Sequence, residues 1–241
     1  EDVPFLQRVD RKFHYDLDWE RPLPLVMRRD CLGVPGRLDY KGDVVDPLTP
    51  EALDRFGDQL RARVGENADD DVAVAVNCLF SYVKPDHERM IRGYLEREFP
   101  HLPVSVSHEV APIWREYDRA STTIADAYIR PHLQAFIRAL GEGLAARGIE
   151  RSWAVMKSNG GQMLAESAAD RPVQTVLSGL PGGIIAAKYY AESLDDDNII
   201  SFDMGGTSTD VGVVADGAIG YTTAWEIEFG LPVAAPFIEM T

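Results

Sequence analysis

Ile199-Ile200-Ser201-Phe202-Asp203-Met204-Gly205-Gly206-Thr207-Ser208-Thr209-Asp210-Val211-Gly212-Val213-Val214 reads as an apolar strand, a loop dense in glycine and hydroxyls, and a second apolar strand. Gly205 and Gly206 open backbone conformations closed to other residues and let phosphate oxygens come close to main-chain N–H groups. Thr207, Ser208 and Thr209 add neutral hydroxyl donors. Asp203 stands where the first strand ends and can hold Mg²⁺ directly or through water, because a hard ion already bound to phosphate needs few carboxylates. Asp210 either shares that task or caps the turn. A plain glycine hairpin is the competing reading, but a tight turn needs none of the three hydroxyls. The stretch is neither a Walker loop nor a dinucleotide fingerprint, since no Gly-Lys-Ser or Gly-Lys-Thr follows and the loop leads into a strand where those motifs open a helix.

Upstream, strands and helices alternate. Trp153-Ala154-Val155-Met156 reads as a strand ended by Ser158-Asn159-Gly160-Gly161, and a helix starting near Gly182 covers Ile184 to Glu192. A loop at the carboxyl end of a strand is where α/β sheets place ligand contacts, so Asn159 and Gly160 are candidate phosphate or substrate contacts; an Asn-Gly turn explains them equally well. Thr122 to Gly148 carries a long helical pattern that Pro131 should kink or interrupt, with Gly148 as its stop. Val72 to Val76 and Val104 to Ser107 read as strands separated by a helix over Pro85 to Phe99, which predicts a parallel βαβ unit. Thr49 caps a helix beginning at Pro50, with Leu53, Phe56, Leu60 and Val64 on its packing face. In residues 1–50, Pro24-Leu25-Val26 and Arg37 to Tyr40 are short β-prone runs, and Lys41-Gly42-Asp43 suggests a hairpin turn. A domain boundary is expected near residue 120, giving domains 1–120 and 121–241.

Charge and composition narrow the functional classes. With 24 Lys and Arg against 39 Asp and Glu, the formal charge is −15, which repels a polyanion, so no nucleic acid partner is expected. No apolar run approaches the roughly 20 residues that span a bilayer, and no signal peptide is visible at the start; the expectation is a cytoplasmic protein with no membrane partner. Cys31 and Cys78 show neither disulfide-framework nor zinc-ligand spacing. The chain opens without an initiator methionine, and both ends read as cuts in a longer polypeptide. His87, His101, His108 and His132 share no ligand spacing. Arg115, Glu116, Asp118 and Arg119 read first as a structural ion network at the domain junction.

Asp203-Met204-Gly205-Gly206-Thr207-Ser208-Thr209-Asp210 closely resembles a phosphate loop of the hydantoinase A/5-oxoprolinase family, within the actin, hexokinase and Hsp70-like ATPase superfamily. His108-Glu109-Val110, Arg115-Glu116-Tyr117-Asp118-Arg119, Thr122-Thr123 and Ala127-Tyr128-Ile129-Arg130-Pro131 resemble the junction between that family's N-terminal and central domains. Ser158-Asn159-Gly160-Gly161, Ser178-Gly179 and Gly182-Gly183 fall in the family's order. The resemblance implies an α/β protein of the actin-like ATPase (ribonuclease H-like) fold, two-domain and incomplete in this chain. It further implies ATP and Mg²⁺ as cofactors and an enzyme that activates a carbonyl oxygen by phosphorylation. The expected reaction is ring-opening hydrolysis of a cyclic amide of the hydantoin or 5-oxoproline type. The alternatives are the ATP-binding subunit of a ketone carboxylase and a non-catalytic nucleotide-binding subunit. The expected partners are a small-molecule substrate and a hydantoinase B-like subunit in a hetero-oligomer. Asp203 would be the metal-side carboxylate, with Gly205, Gly206 and Thr207 on phosphate. Two departures stand out: Leu180-Pro181 interrupts the family's usual run before Gly182-Gly183, and Asp126 replaces a common asparagine, turning an amide contact into a charged one.

Overall fold

The computed structural model describes residues 2–6, 15–18, 20, 23–66, 72–206, 209–228 and 230–239. In chain order the elements begin with α1 (Val3–Leu6), β1 (Arg37–Leu38), β2 (Val44–Asp46), α2 (Pro50–Glu66), β3 (Val74–Val76), α3 (Asp86–Glu98), β4 (Val104–Val106), α4 (Ser107–Val110) and α5 (Glu116–Ala145). They continue with β5 (Ala154–Met156), β6 (Gln162–Leu164), α6 (Ala165–Asp170), α7 (Gly179–Ser193), β7 (Ile199–Met204), β8 (Thr209–Ala215) and β9 (Ala218–Ile219). The last four are β10 (Tyr221–Thr222), β11 (Trp225–Glu228), β12 (Leu231–Val233) and β13 (Phe237–Ile238). The chain is a mixed α/β protein that divides into two compact units, residues 1–131 with 226–234 and residues 132–225 with 235–241.

In the first unit β3 and β4 pair in parallel, Val74 opposite Val104 and Val76 opposite Val106, with α3 as the crossover. This is the βαβ arrangement the alternating pattern predicts. Leu53, Phe56 and Leu60 of α2 pack with Ile91, Tyr94 and Leu95 of α3 and with Val76 and Val106 of the strands. Burying each of the larger apolar side chains stabilises the unit by roughly 1.5–3 kcal/mol. The start of α2 is fixed as expected: Thr49 Oγ1 accepts the N–H of Ala52 at 3.3 Å, and Pro50 occupies the first helical position. β1 pairs with β2 across a turn in which Asp39 Oδ1 accepts the N–H groups of Lys41 and Asp43, and Gly42 takes φ +87°. Pro24-Leu25-Val26 forms no strand; Pro24 has no N–H to give a ladder.

Two expectations for α5 need correction. It begins at Glu116, upstream of Thr122, and it runs unbroken through Pro131 to Ala145. Its first turns carry no apolar stripe, because Asp118, Arg119, Ser121, Thr122 and Thr123 are themselves buried and are stabilised by hydrogen bonds. Thr122 Oγ1 donates to the Asp118 carbonyl and accepts the Ala234 N–H, and Tyr117 donates to the Gly230 carbonyl, so the β11–β12 hairpin is fastened to the helix. The helix stops where Gly148 takes φ +78° and the Ile149 N–H returns to the Leu144 carbonyl.

In the second unit α7 packs on a three-stranded antiparallel sheet ordered β7-β8-β9. It begins at Gly179, earlier than the expected Gly182. Pro181 is tolerated there because first-turn N–H groups have no intrahelical partner. Period-two alternation gives the β7–β8 hairpin two different faces. Ser201, Asp203, Asp210, Gly212 and Val214 share the face toward α7. Ile200, Phe202, Met204 and Val213 lie on the other, each more than half exposed. β5 and β6 form a second hairpin, and β13 pairs with β10 while the Ile238 N–H bonds to the Ser158 carbonyl.

Candidate functional site

The register of β7 and β8 sets Asp203 directly opposite Asp210, one ladder step from the loop. Residues so paired hold their Cβ atoms about 4.5–5.5 Å apart, and like charges in that position are destabilising. Neither carboxylate has a cationic or hydrogen-bonding side-chain partner among the described residues. Both line a shallow cleft of about 230 Å³ between the hairpin and the first turns of α7, together with Ser201, Gly212, Leu180 and Ile184. Gly205 and Gly206 continue the strand outward and are exposed. Thr209 opens β8, whereas Thr207 and Ser208 lie outside the described residues.

The glycines of this hairpin have different reasons to be glycine. At Gly212 an added Cβ would overlap the Ile184 side chain, so packing against α7 demands the small residue. At Gly206 an added Cβ meets no described atom within 4 Å, and its φ is not in the left-handed region. Among the described residues, neither packing nor backbone strain accounts for Gly206.

Asn159 and Gly160 sit in the β5–β6 turn and do not line this cleft. Asn159 Oδ1 accepts the Gly161 N–H at 3.0 Å, and Gly160 takes φ +77° with Ile185 Cδ1 2.5 Å and Ile238 Cδ1 2.9 Å from where a Cβ would stand. Turn geometry and packing therefore suffice for Gly160. Ser158 beside it is buried and donates to the carbonyls of the 172–176 segment.

A second concentration of polar groups lies at the carboxyl ends of β3 and β4. Glu88, fully buried in the first turn of α3, accepts the Cys78 N–H at 2.8 Å and the Ser107 hydroxyl at 2.6 Å through one oxygen. Its other oxygen takes the His108 N–H at 2.9 Å and His108 Nδ1 at 2.7 Å. Since the Ser107 proton goes to Glu88, its lone pairs accept from Ser81 Oγ and Arg119 Nε. Arg119, also fully buried, donates to the carbonyls of Cys78 and Ile113 and pairs with Glu116, which in turn accepts the Phe80 N–H. Burial, reinforced by the Glu88 charge, pushes the Cys78 thiol up to about 12, so it is no nucleophile near neutrality. Nearby, Asp126 accepts from Ser105 and pairs with Arg130, which is the charged contact its replacement of asparagine implied.

The ion network expected of Arg115, Glu116, Asp118 and Arg119 is thus present. Its main partners, Glu88 and Ser107, escaped the reading because each falls within a run taken for an ordinary helix or strand. The available signal was an acid at a core-facing phase of α3: Glu88 stands three residues before buried Ile91.

Among the described residues no three His, Cys, Asp or Glu side chains gather as a metal site, and no helix is long and apolar enough to cross a membrane. Two opposed carboxylates fit Mg²⁺ nonetheless, because that ion keeps waters and takes further oxygens from phosphate.

The hydantoinase/oxoprolinase family model matches residues 119–241, and the model of the hydantoinase/oxoprolinase N-terminal region matches residues 1–99. The chain is 31% identical over 205 residues to the acetophenone carboxylase gamma subunit of Aromatoleum aromaticum, covering 83% of this chain and 27% of that one. A nucleotide-free structure of acetone carboxylase, from work on ATP-dependent acetone carboxylation, superposes with a TM-score of 0.79 at 29% identity, over 92% of this chain and 31% of that one. The ATP-dependent caprolactamase of Pseudomonas jessenii superposes with a TM-score of 0.76 at 25% identity, over 100% of this chain and 34% of that one. The chain spans about a third or less of each.

Proposed function

The chain belongs to the hydantoinase/oxoprolinase family, and from that premise we propose that it supplies part of the nucleotide site of an enzyme that opens a cyclic amide at the expense of ATP. Asp203 and Asp210 opposite each other on a cleft face, with no described partner, carry the reading. A pair of like charges held together costs stability unless a cation shares them, and Mg²⁺ accompanying a triphosphate is such a cation. Asp203 would hold the ion, with Asp210 beside it. The N–H groups of Gly205 and Gly206 and the hydroxyls of Thr207, Ser208 and Thr209 would hold phosphate oxygens, and the Asn159 amide and Gly160, in the β5–β6 turn outside that cleft, are further candidates. When bound, ATP supplies a phosphoryl group that turns a poor amide leaving oxygen into a good one, and Mg²⁺ offsets the charge of its transfer. The residues of this chain bind and orient.

The likeness to caprolactamase supports a lactam-type substrate. The acetone carboxylase superposition supports a second reading, in which the oxygen phosphorylated belongs to a ketone that is then carboxylated. Under either reading the fold would be actin-like, with segments 1–120 and 121–241 as parts of two domains. The protein would work in the cytoplasm beside a hydantoinase B-like subunit, as the subunit status of the carboxylase relative suggests. Measuring ATP hydrolysis by the full-length protein with its partner, against cyclic amides and against ketones with bicarbonate, decides between them. Stimulation by an amide alone supports the first reading and by a ketone with bicarbonate the second. Nucleotide binding with no stimulation would leave a non-catalytic nucleotide-binding subunit, and no Mg·ATP binding at all would remove the nucleotide site itself.

A further inference from the structure

We propose that Asn159 is a covalent modification site, set up by the β5–β6 turn for spontaneous deamidation and held unreacted by a main-chain hydrogen bond of the same turn. Asn159-Gly160 is the only Asn-Gly pair in the sequence, and it stands outside the cleft between the β7–β8 hairpin and α7. Deamidation requires the main-chain nitrogen of the following residue to reach the asparagine amide carbon. A side chain on that following residue obstructs the approach, and glycine has none. The other asparagines among the described residues, Asn77 and Asn198, precede Cys78 and Ile199, whose side chains stand in the way.

The turn supplies both the activation and the block. The Gly161 N–H donates to Asn159 Oδ1 at 3.0 Å, which fixes the side chain over its own main chain and polarises the amide carbonyl. The same donor would stabilise the negative charge that Oδ1 gains when its carbon is attacked. The attacking atom is the Gly160 nitrogen, and its N–H is donated to the Lys157 carbonyl at 2.9 Å. While that bond stands, the nitrogen keeps its proton and does not attack. Packing and neighbouring bonds keep it standing. Ile185 Cδ1 and Ile238 Cδ1 lie 2.5 and 2.9 Å from where a Gly160 Cβ would be. The Ser158 N–H bonds to the Gln174 carbonyl, and the Ser158 carbonyl accepts the Ile238 N–H. All of these residues belong to the second unit.

Water and hydroxide are the only co-reactants. When the turn opens, hydroxide removes the Gly160 amide proton and the nitrogen bonds to Asn159 Cγ. The Cγ–Nδ2 bond then breaks, and the leaving nitrogen takes a proton from water and departs as ammonia. Water hydrolyses the resulting cyclic imide at one of its two carbonyls. Cleavage at the side-chain carbonyl leaves an ordinary aspartate at position 159, and cleavage at the main-chain carbonyl routes the chain through the side chain as isoaspartate. Either product replaces a neutral amide with a carboxylate and removes Nδ2 as a donor. No nucleotide, metal or partner takes part, so the reaction is independent of the proposed nucleotide site.

The test keeps the full-length protein warm at mildly alkaline pH, either native or unfolded in guanidinium, and samples it over days. Digestion and mass spectrometry read the fraction of the peptide containing residue 159 that has changed from amide to acid. In guanidinium that peptide should convert faster than the one containing Asn198. In native wild type it should convert at least about 10-fold more slowly than in guanidinium, a ratio set by how rarely the turn opens. Ile185→Ala removes packing over Gly160 and should speed conversion in the native protein several-fold. Native conversion as fast as unfolded conversion overturns the block, and absence of conversion at residue 159 in guanidinium overturns the site itself. A folded Ile185→Ala that converts at the native wild-type rate also overturns the proposal, because packing on Gly160 would then not hold the turn. Should that variant not fold, the comparison of native with unfolded wild type still decides.

Discussion

The polar cluster at the ends of β3 and β4 and the acidic pair on the β7–β8 hairpin use charge in opposite ways. Around Arg119 and Glu88 every carboxylate oxygen and guanidinium nitrogen has a partner, and the groups are buried. On the hairpin two carboxylates face each other with no described partner, beside a glycine that no described neighbour requires. A satisfied buried network is structure, and removing one member leaves the others desolvated and unpaired. An unsatisfied pair at a cleft is a cost to the fold, one that a bound cation would offset.

The contrast can be broken most directly at Arg119. Arg119→Met should destabilise the chain by about 3–5 kcal/mol, read as a lower denaturant midpoint; a loss under 1 kcal/mol would mean the network is dispensable. On the hairpin, Asp203→Asn should leave the midpoint unmoved and lower Mg·ATP-dependent turnover by roughly 100- to 1000-fold. Equal turnover in wild type and variant would take Asp203 out of its role. Gly212→Ala forces a methyl into Ile184 and should cost about 1–3 kcal/mol of stability, whereas Gly206→Ala should cost under 1 kcal/mol and weaken nucleotide binding measured by calorimetry. If the two glycines behave alike, the distinction drawn between them fails. The smallest effect sharpens the comparison: without Mg²⁺, Asp210→Asn should raise stability by about 0.2–1 kcal/mol, and added Mg²⁺ with nucleotide should stabilise wild type more than the variant.

How much was legible in the chain follows the same division. Apolar periodicity gave α2, the parallel β3–β4 pair, α3 and the β7–β8 hairpin, because each buries one hydrophobic face. It missed the start of α5 because Asp118, Arg119 and Thr122 are buried as hydrogen-bonded polar groups, and no hydrophobic period marks such a helix. It placed a strand at Pro24-Leu25-Val26 from β-prone residues that had no ladder partner. On the hairpin, the strand–loop–strand pattern was legible, and the register of its two strands sets Asp203 opposite Asp210. Glu88 and His108, 20 residues apart, meet only because β3 and β4 run side by side, and no local spacing could announce that.

The uncovered side of the β7–β8 hairpin, with Ile200, Phe202, Met204 and Val213, has a consequence for how the protein behaves at high concentration. A flat greasy surface of this kind invites sticking between molecules, and what opposes it is mutual repulsion from a net charge of −15. Dissolved electrolyte shortens the reach of that repulsion to about 10 Å at 0.1 M while leaving the greasy surface as attractive as before. Light scattering should therefore grow as sodium chloride is added, the reverse of what a protein held together by ion pairs would do.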